Sequence, residues 1–201
     1  MRSVILQFHD NIKRSSNLGL LHVAMKDKVT GALDISDLLR AQLALTVSAV
    51  DHYIHEIVRL GMIEVIKGGR NNTPAFKRFG ISLECAITAL NNPDCFDWLD
   101  EEVRFKHSFK SFQQADKIAE AIRLISDVAL WDEVAARIHI PARDIKAQLN
   151  LIVDRRNKIA HEADMDPSFP GSRWGIDSDM VDQSTAFLVN VIQAIDQIVN
   201  P

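Results

Sequence analysis

The segment Asp154-Arg155-Arg156-Asn157-Lys158-Ile159-Ala160-His161-Glu162 gathers the residue types that acid–base chemistry on an anion requires. A guanidinium is always charged and offers a fork of five donors, and an imidazole changes charge near neutral pH. Together they suit a phosphate ester whose charge grows as it reacts. On a helix turning about 100° per residue, Ile145, Leu149, Ile152, Val153 and Ala160 share one face. Arg156 falls in the middle of that face, so it is expected to be buried. Asp154, Asn157 and His161, at i, i+3 and i+7, line a second, polar stripe that takes in Lys158. Arg156 and His161 stand about 140° apart around an ideal helix. They reach one point through the length of the arginine side chain or across an interface with a second copy, and a dimer is the easier solution. The structural alternative makes Arg156 a buried ion pair with an acid of the second helix, Glu56 being the candidate. His161 is then a helix C-terminal histidine favoured by the dipole.

The elements that must position these residues are helical. With 201 residues, 25% charged and 47% hydrophobic, the chain has an ordinary globular composition and length enough for one core. A single domain over residues 1–201 is expected, an all-α helical bundle with an irregular middle insertion. Apolar spacing of three and four predicts a first helix over residues 2–28, bent at Ser15-Ser16-Asn17 and Gly19 and ended by Thr30-Gly31. A second helix is expected from an Asp34 cap to about Ile66, on the stripe Leu39, Leu43, Val47, Val50, Ile54 and Ile57. Residues 67–74 collect Gly, Asn and Pro and read as a loop. Further helices are expected over residues 82–90, over 112–128 behind a Ser111-x-x-Gln114 capping box, and over 131–138. The functional segment ends a helix entered through Pro141, and a last helix runs from 178 to about 199 behind Asp177 or Ser178.

Charge and cysteine content narrow the function. A net charge of −4, from 23 basic and 27 acidic residues, removes a global basic field, so any polyanion site must be local. Cys85 and Cys95 make neither a disulfide framework nor a zinc knuckle, and the remaining histidines lack metal-ligand spacing. No metal and no cofactor is expected. A signal-peptide core and an apolar run of membrane-spanning length are both missing from the sequence, so a cytoplasmic protein is expected. Asp51 and His55, at i, i+4 beside the apolar stripe of the second helix, are candidates for the same cavity as Arg156, or else a structural polar pair. Arg155, Arg156 and Lys158 form one of four local basic clusters; the others are Lys67/Arg70, Lys77/Arg78 and Arg104/Lys106/Lys110. Trp131 is expected in the core.

Arg156 followed by a polar residue and, five positions on, by His161 resembles the signature of the HEPN superfamily. The resemblance extends through Asp37-Leu-Leu-Arg40 and Val47-Ser-Ala-Val-Asp51-His-Tyr-Ile-His55-Glu56 to Arg155-Arg-Asn-Lys-Ile-Ala-His-Glu-Ala-Asp164, in the order of the RiboL-PSP-HEPN branch. It implies a helical bundle that dimerises, with two motifs meeting across the two-fold as a metal-independent endoribonuclease. Arg156 would hold the scissile phosphate, His161 would move a proton, and Asn157 would orient His161 or the RNA. The products would be a 2′,3′-cyclic phosphate and a 5′-hydroxyl. The resemblance also implies a toxin or anti-phage effector, with an antitoxin or nucleotidyltransferase as a further partner. The rival expectation is a non-catalytic HEPN dimer that binds RNA, a nucleotide or a protein.

Overall fold

A computed structural model describes residues 2–30 and 33–200, and the described residues fold into helices joined by short loops. In chain order these are α1 (Arg2–Met25), α2 (Asp37–Ile66), α3 (Pro74–Lys77), α4 (Leu83–Asn91), α5 (Asp97–His107), α6 (Ala115–Ile122), α7 (Leu130–Ile138), α8 (Ala142–His161) and α9 (Ser178–Val199). The all-α expectation holds. α2 is the central element and touches α1, α5, α6, α8 and α9. It can do so because its apolar residues run around most of its circumference: Leu39, Leu43, Val47, Val50, Tyr53, Ile54, Ile57, Val58 and Met62 are all buried. α8 contributes Ile145, Leu149, Ile152 and Val153 to the same core, and α9 contributes Val181, Leu188, Val191, Ile192 and Ile195. Trp131 is buried as expected, its indole N–H donating to the Ala115 carbonyl at 3.1 Å.

Two expectations, the end of α1 and the cap of α2, are corrected. α1 is continuous through the Ser15 region: Ser15 is buried, its hydroxyl lies 3.1 Å from that of Thr46, and a side chain at Gly19 would collide with Gln42. These small residues are where α1 lies close against α2. α1 ends at Met25, ahead of Thr30, and Gly31 lies outside the described residues. Asp34 does not cap α2. Its carboxylate accepts from the Ser36 backbone at 2.9 Å, a turn within the approach, and the helix starts at Asp37.

The largest departure lies in the middle of the chain. Ser111 and Gln114 form no capping box, because Gln114 gives α6 no side-chain cap. The backbone from 108 to 114 instead runs without regular structure as a strap, and the helix that follows is confined to Ala115–Ile122. Ahead of the strap stands α5, which the sequence reading did not separate from its surroundings. Among the described residues no helix is long and apolar enough to cross a membrane.

Candidate functional site

α8 and the strap enclose a cleft of about 550 Å³ between them. Val153, Arg156, Asn157 and His161 line it from α8; residues 109–114 of the strap, with Lys117 and Glu120 of α6, line it from the other side. The three residues expected to carry chemistry therefore share one cleft within one chain. The ~140° of ideal helix between Arg156 and His161 does not keep them apart, because the cleft runs along the last two turns of α8. That angular separation therefore gives no reason of its own for a second copy.

Arg156 is half-buried rather than buried, and its Nη1 donates to Asn157 Oδ1 at 3.1 Å. Among the described residues it has no carboxylate partner. The expected pair with Glu56 is not formed: Glu56 accepts from Arg59 at 2.7 Å and lies 3.5 Å from Arg104. These two guanidiniums hold its carboxyl below the usual range against the opposing effect of burial. The physical reason for the correction is that beyond Val153 only one edge of that face stays covered: Ile159 still packs against the core, while the side carrying Arg156 and Ala160 does not. One turn later there is a cleft where a neighbouring helix would have to stand, and Ala160, expected on the core face, is exposed. His161 is exposed in the last turn of α8.

The arginine that turns inward is its neighbour. Arg155 Nη2 donates to Asp164 Oδ2 at 2.9 Å, and Arg40 Nε of α2 donates to the same oxygen at 2.7 Å. Asp164 is 0% exposed. Both guanidiniums also donate to the Trp174 carbonyl, at 2.9 Å from Arg40 and 3.2 Å from Arg155, and Arg155 reaches the Gly175 carbonyl at 3.0 Å. Burial pulls the Arg155 pKa below its ordinary value, with Arg40 adding to the effect and Asp164 opposing it. Two successive left-handed residues, Ala163 at φ 52° and Asp164 at φ 58°, turn the chain back so that this carboxylate enters the cluster. By sequence Arg155 belongs to a local basic cluster that could bind substrate or support the residues that do. The structure commits donors of its guanidinium to the fold.

Asp51 and His55 lie behind the strap and line a neighbouring cleft of about 390 Å³ with Glu56, Arg59 and His107. Asp51 governs the wall of the first cleft from there. Its Oδ1 accepts from the Phe112 backbone N–H at 2.6 Å and its Oδ2 from Gln113 Nε2 at 3.1 Å. Asn150 of α8 accepts from the Ala115 backbone N–H at 3.1 Å, so the strap is tied at its far end as well. The His55 ring packs 4.5 Å from that of Phe112, and its Nε2 lies 3.6 Å from Asp51. Asp154 is outside the cleft and pairs with Lys158 at 3.1 Å; the Lys158 ammonium sits 5.5 Å from the Trp174 ring centre. Among the described residues no three His, Cys, Asp or Glu side chains converge as metal ligands.

His107 closes α5 beneath the strap, among His55, Phe79 and Phe112. It is 2% exposed, and burial pushes its pKa down to about 4, with Lys110 and His55 adding to the shift. A neutral folded imidazole makes stability depend on acid. The unfolded chain takes up this proton near 6.5 and the folded one only near 4. The contribution is therefore complete above about pH 6.5 and is lost as the pH falls towards 4, by about 3 kcal/mol in all. Urea titrations across that range should show a shallower loss for His107→Leu than for the parent; parallel curves would mean that His107 is not held neutral.

The comparisons with known proteins follow the same lines. The sequence profile described as RiboL-PSP-HEPN matches residues 9–201. No curated protein and no solved structure matches the chain. The family match spans α2, the strap and the Arg156–His161 end of α8 together, and the chain belongs to the RiboL-PSP-HEPN family.

Proposed function

We propose that the chain is a metal-independent endoribonuclease, a toxin or defence effector that works as a two-fold dimer with the two clefts facing each other. The observation that carries this reading is an arginine with no carboxylate partner among the described residues, sharing a cleft with an exposed histidine. A guanidinium left without a carboxylate beside a cleft is available to an outside anion, and a bidentate fork fits a phosphodiester. The family supports an RNA-cleaving or nucleotide-binding role in general; the pairing of Arg156 with His161 in one cleft favours cleavage. A ribose 2′-hydroxyl gives up its proton to an imidazole and attacks the adjacent phosphorus. Arg156 stabilises the charge that builds on the phosphoryl oxygens, and the 5′-oxygen leaves with a proton from a second imidazole. One cleft holds one histidine of this kind, so a dimer supplies base and acid together. Asn157, bonded to Arg156, orients the fork. An antitoxin or nucleotidyltransferase partner is the restraint such an enzyme calls for.

The test is incubation of the purified chain with end-labelled single-stranded RNA in EDTA. The expected products end in a 2′,3′-cyclic phosphate and a 5′-hydroxyl, and a single 2′-deoxy substitution at the cut site stops the reaction. Cleavage that survives that substitution, or that needs added magnesium, overturns the mechanism. Tight RNA or nucleotide binding without any cut would instead establish a non-catalytic binding module.

A further inference from the structure

The tip of the strap carries an arrangement that the cleavage chemistry does not use. Phe109 is 84% exposed although it lines the Arg156–His161 cleft, and Phe105, one turn earlier, is 65% exposed. Their rings stand 6.0 Å apart at 90°, an edge-to-face pair on the surface. Such rings bring the fold almost no burial. Their placement is nevertheless held: Lys110 N–H donates to the His107 carbonyl at 2.9 Å, and Asp51 grips the backbone at Phe112. Phe112 and Gln113 are buried beneath. The strap therefore presents Phe109 with little ordering left to lose on binding.

The charges around this ring fit one class of ligand. Lys117 is neutralised by Glu120 at 3.0 Å, whereas Lys110 and Arg156 have no ion-pair partner among the described residues. An exposed aromatic ring that shares a cleft with two cations unpaired among the described residues suits a polyanion whose flat apolar faces are uncovered. A single strand offers those faces and a duplex hides them, since its bases are already stacked and paired.

We infer that Phe109 is a base-stacking subsite for single-stranded RNA, with Lys110 on the phosphate backbone, beside Arg156 and His161. This rests on the ribonuclease reading for the identity of the strand, and it selects unpaired RNA over duplex. A base stacked on Phe109 also fixes which phosphodiester of the strand lies against Arg156, so the ring sets where the chain is cut.

The experiment uses the full chain carrying His161→Ala, which slows turnover enough for binding to be read, and follows the fluorescence anisotropy of a labelled single-stranded oligoribonucleotide and of an RNA duplex. Phe109→Ala should weaken single-strand binding about 5- to 150-fold, the range to which 1–3 kcal/mol per stacked base converts. Duplex binding should not change. Phe109→Trp should restore the affinity and show quenched indole fluorescence on binding, and Phe109→Leu, apolar but without a π-face, should not restore it. Unchanged single-strand affinity in Phe109→Ala overturns the subsite, as do equal losses on strand and duplex, rescue by leucine, or no RNA binding by the parent. If an acidic aromatic peptide displaces nothing and the strand binds through Phe109, but the chain with His161 intact cuts no RNA, the subsite stands and the ribonuclease reading falls. Cleavage by Phe109→Ala at unchanged KM and unchanged cut position has the opposite meaning.

Discussion

Replacing Asp164 by alanine is expected to cost about 3–5 kcal/mol of folding stability, the loss that follows when one member of a buried charge cluster is removed and its partners stay behind. Asp164 is 0% exposed and is the shared acceptor of Arg40 and Arg155, which come from α2 and α8. Without it the two guanidiniums lose their shared carboxylate; Arg155 keeps only backbone carbonyls, and Arg40 keeps the Trp174 carbonyl, the Ser36 hydroxyl at 2.5 Å and the exposed Asp37 carboxylate at 3.6 Å. Asparagine separates charge from backbone, because an Asn side chain tolerates the left-handed conformation that residue 164 adopts at φ 58°. Asp164→Asn should therefore keep the turn and still lose much of the stability. Ala163→Gly, one position earlier at φ 52°, should instead stabilise by about 1 kcal/mol, since glycine meets no Cβ penalty there. Urea unfolding of the three variants gives the ordering. An Asp164→Ala loss below about 1 kcal/mol would mean that the cluster is open to water. The cluster matters to function because His161 lies three residues before Asp164, so the turn that delivers the carboxylate also fixes the end of α8.

What the sequence made legible were the features set by local chemistry. α2, α8 and α9 follow from unbroken apolar periodicity, and Asp177 caps α9 by accepting from the Met180 backbone at 2.8 Å. The expected meeting of Arg156, Asn157 and His161 needs only that they share one end of one helix. What escaped was set at a distance. The capping box at Ser111 and Gln114 has the right local spacing, but Asp51 and Asn150 reach in from α2 and α8 and take the backbone donors, so a strap stands in place of a helical turn. α5 was hidden because its buried positions mix Leu99 and Val103 with Glu102 and His107, which breaks the apolar rhythm. The exchange of roles between Arg155 and Arg156 turns on where Asp164 lands after two left-handed residues, and no periodicity encodes that. Burial of a charged residue was read from its helical face alone. Beyond Val153 the face is covered at Ile159 and open at Arg156 and Ala160, and what covers it is the rest of the chain.

The cleft separates its two main residues by their effects on rate and on stability. His161→Ala should lower RNA cleavage by about 10²–10⁴-fold, the usual worth of a positioned acid or base. Arg156→Ala should lower it by about 10²–10³-fold, as when a preorganised donor to a developing oxyanion is lost. Neither should unfold the protein: His161 is exposed and Arg156 leaves no carboxylate stranded, so changes in Tm of about 2 °C or less are expected. A fall in Tm as large as that of Asp164→Ala would mean that Arg156 serves the fold. Arg156→Lys keeps the charge and loses the fork, and it should recover only part of the rate. Mixing the parent with His161→Ala then asks how many chains make one site. A mixed dimer whose clefts face each other keeps both arginines and one imidazole, so it lacks either the base or the acid of the step. After subunit exchange, activity is expected to fall with the square of the parent fraction, because only parent–parent dimers cut. If it falls in direct proportion to that fraction, each cleft works within its own chain and the dimeric part of the mechanism falls, leaving the single histidine to act with water as its partner.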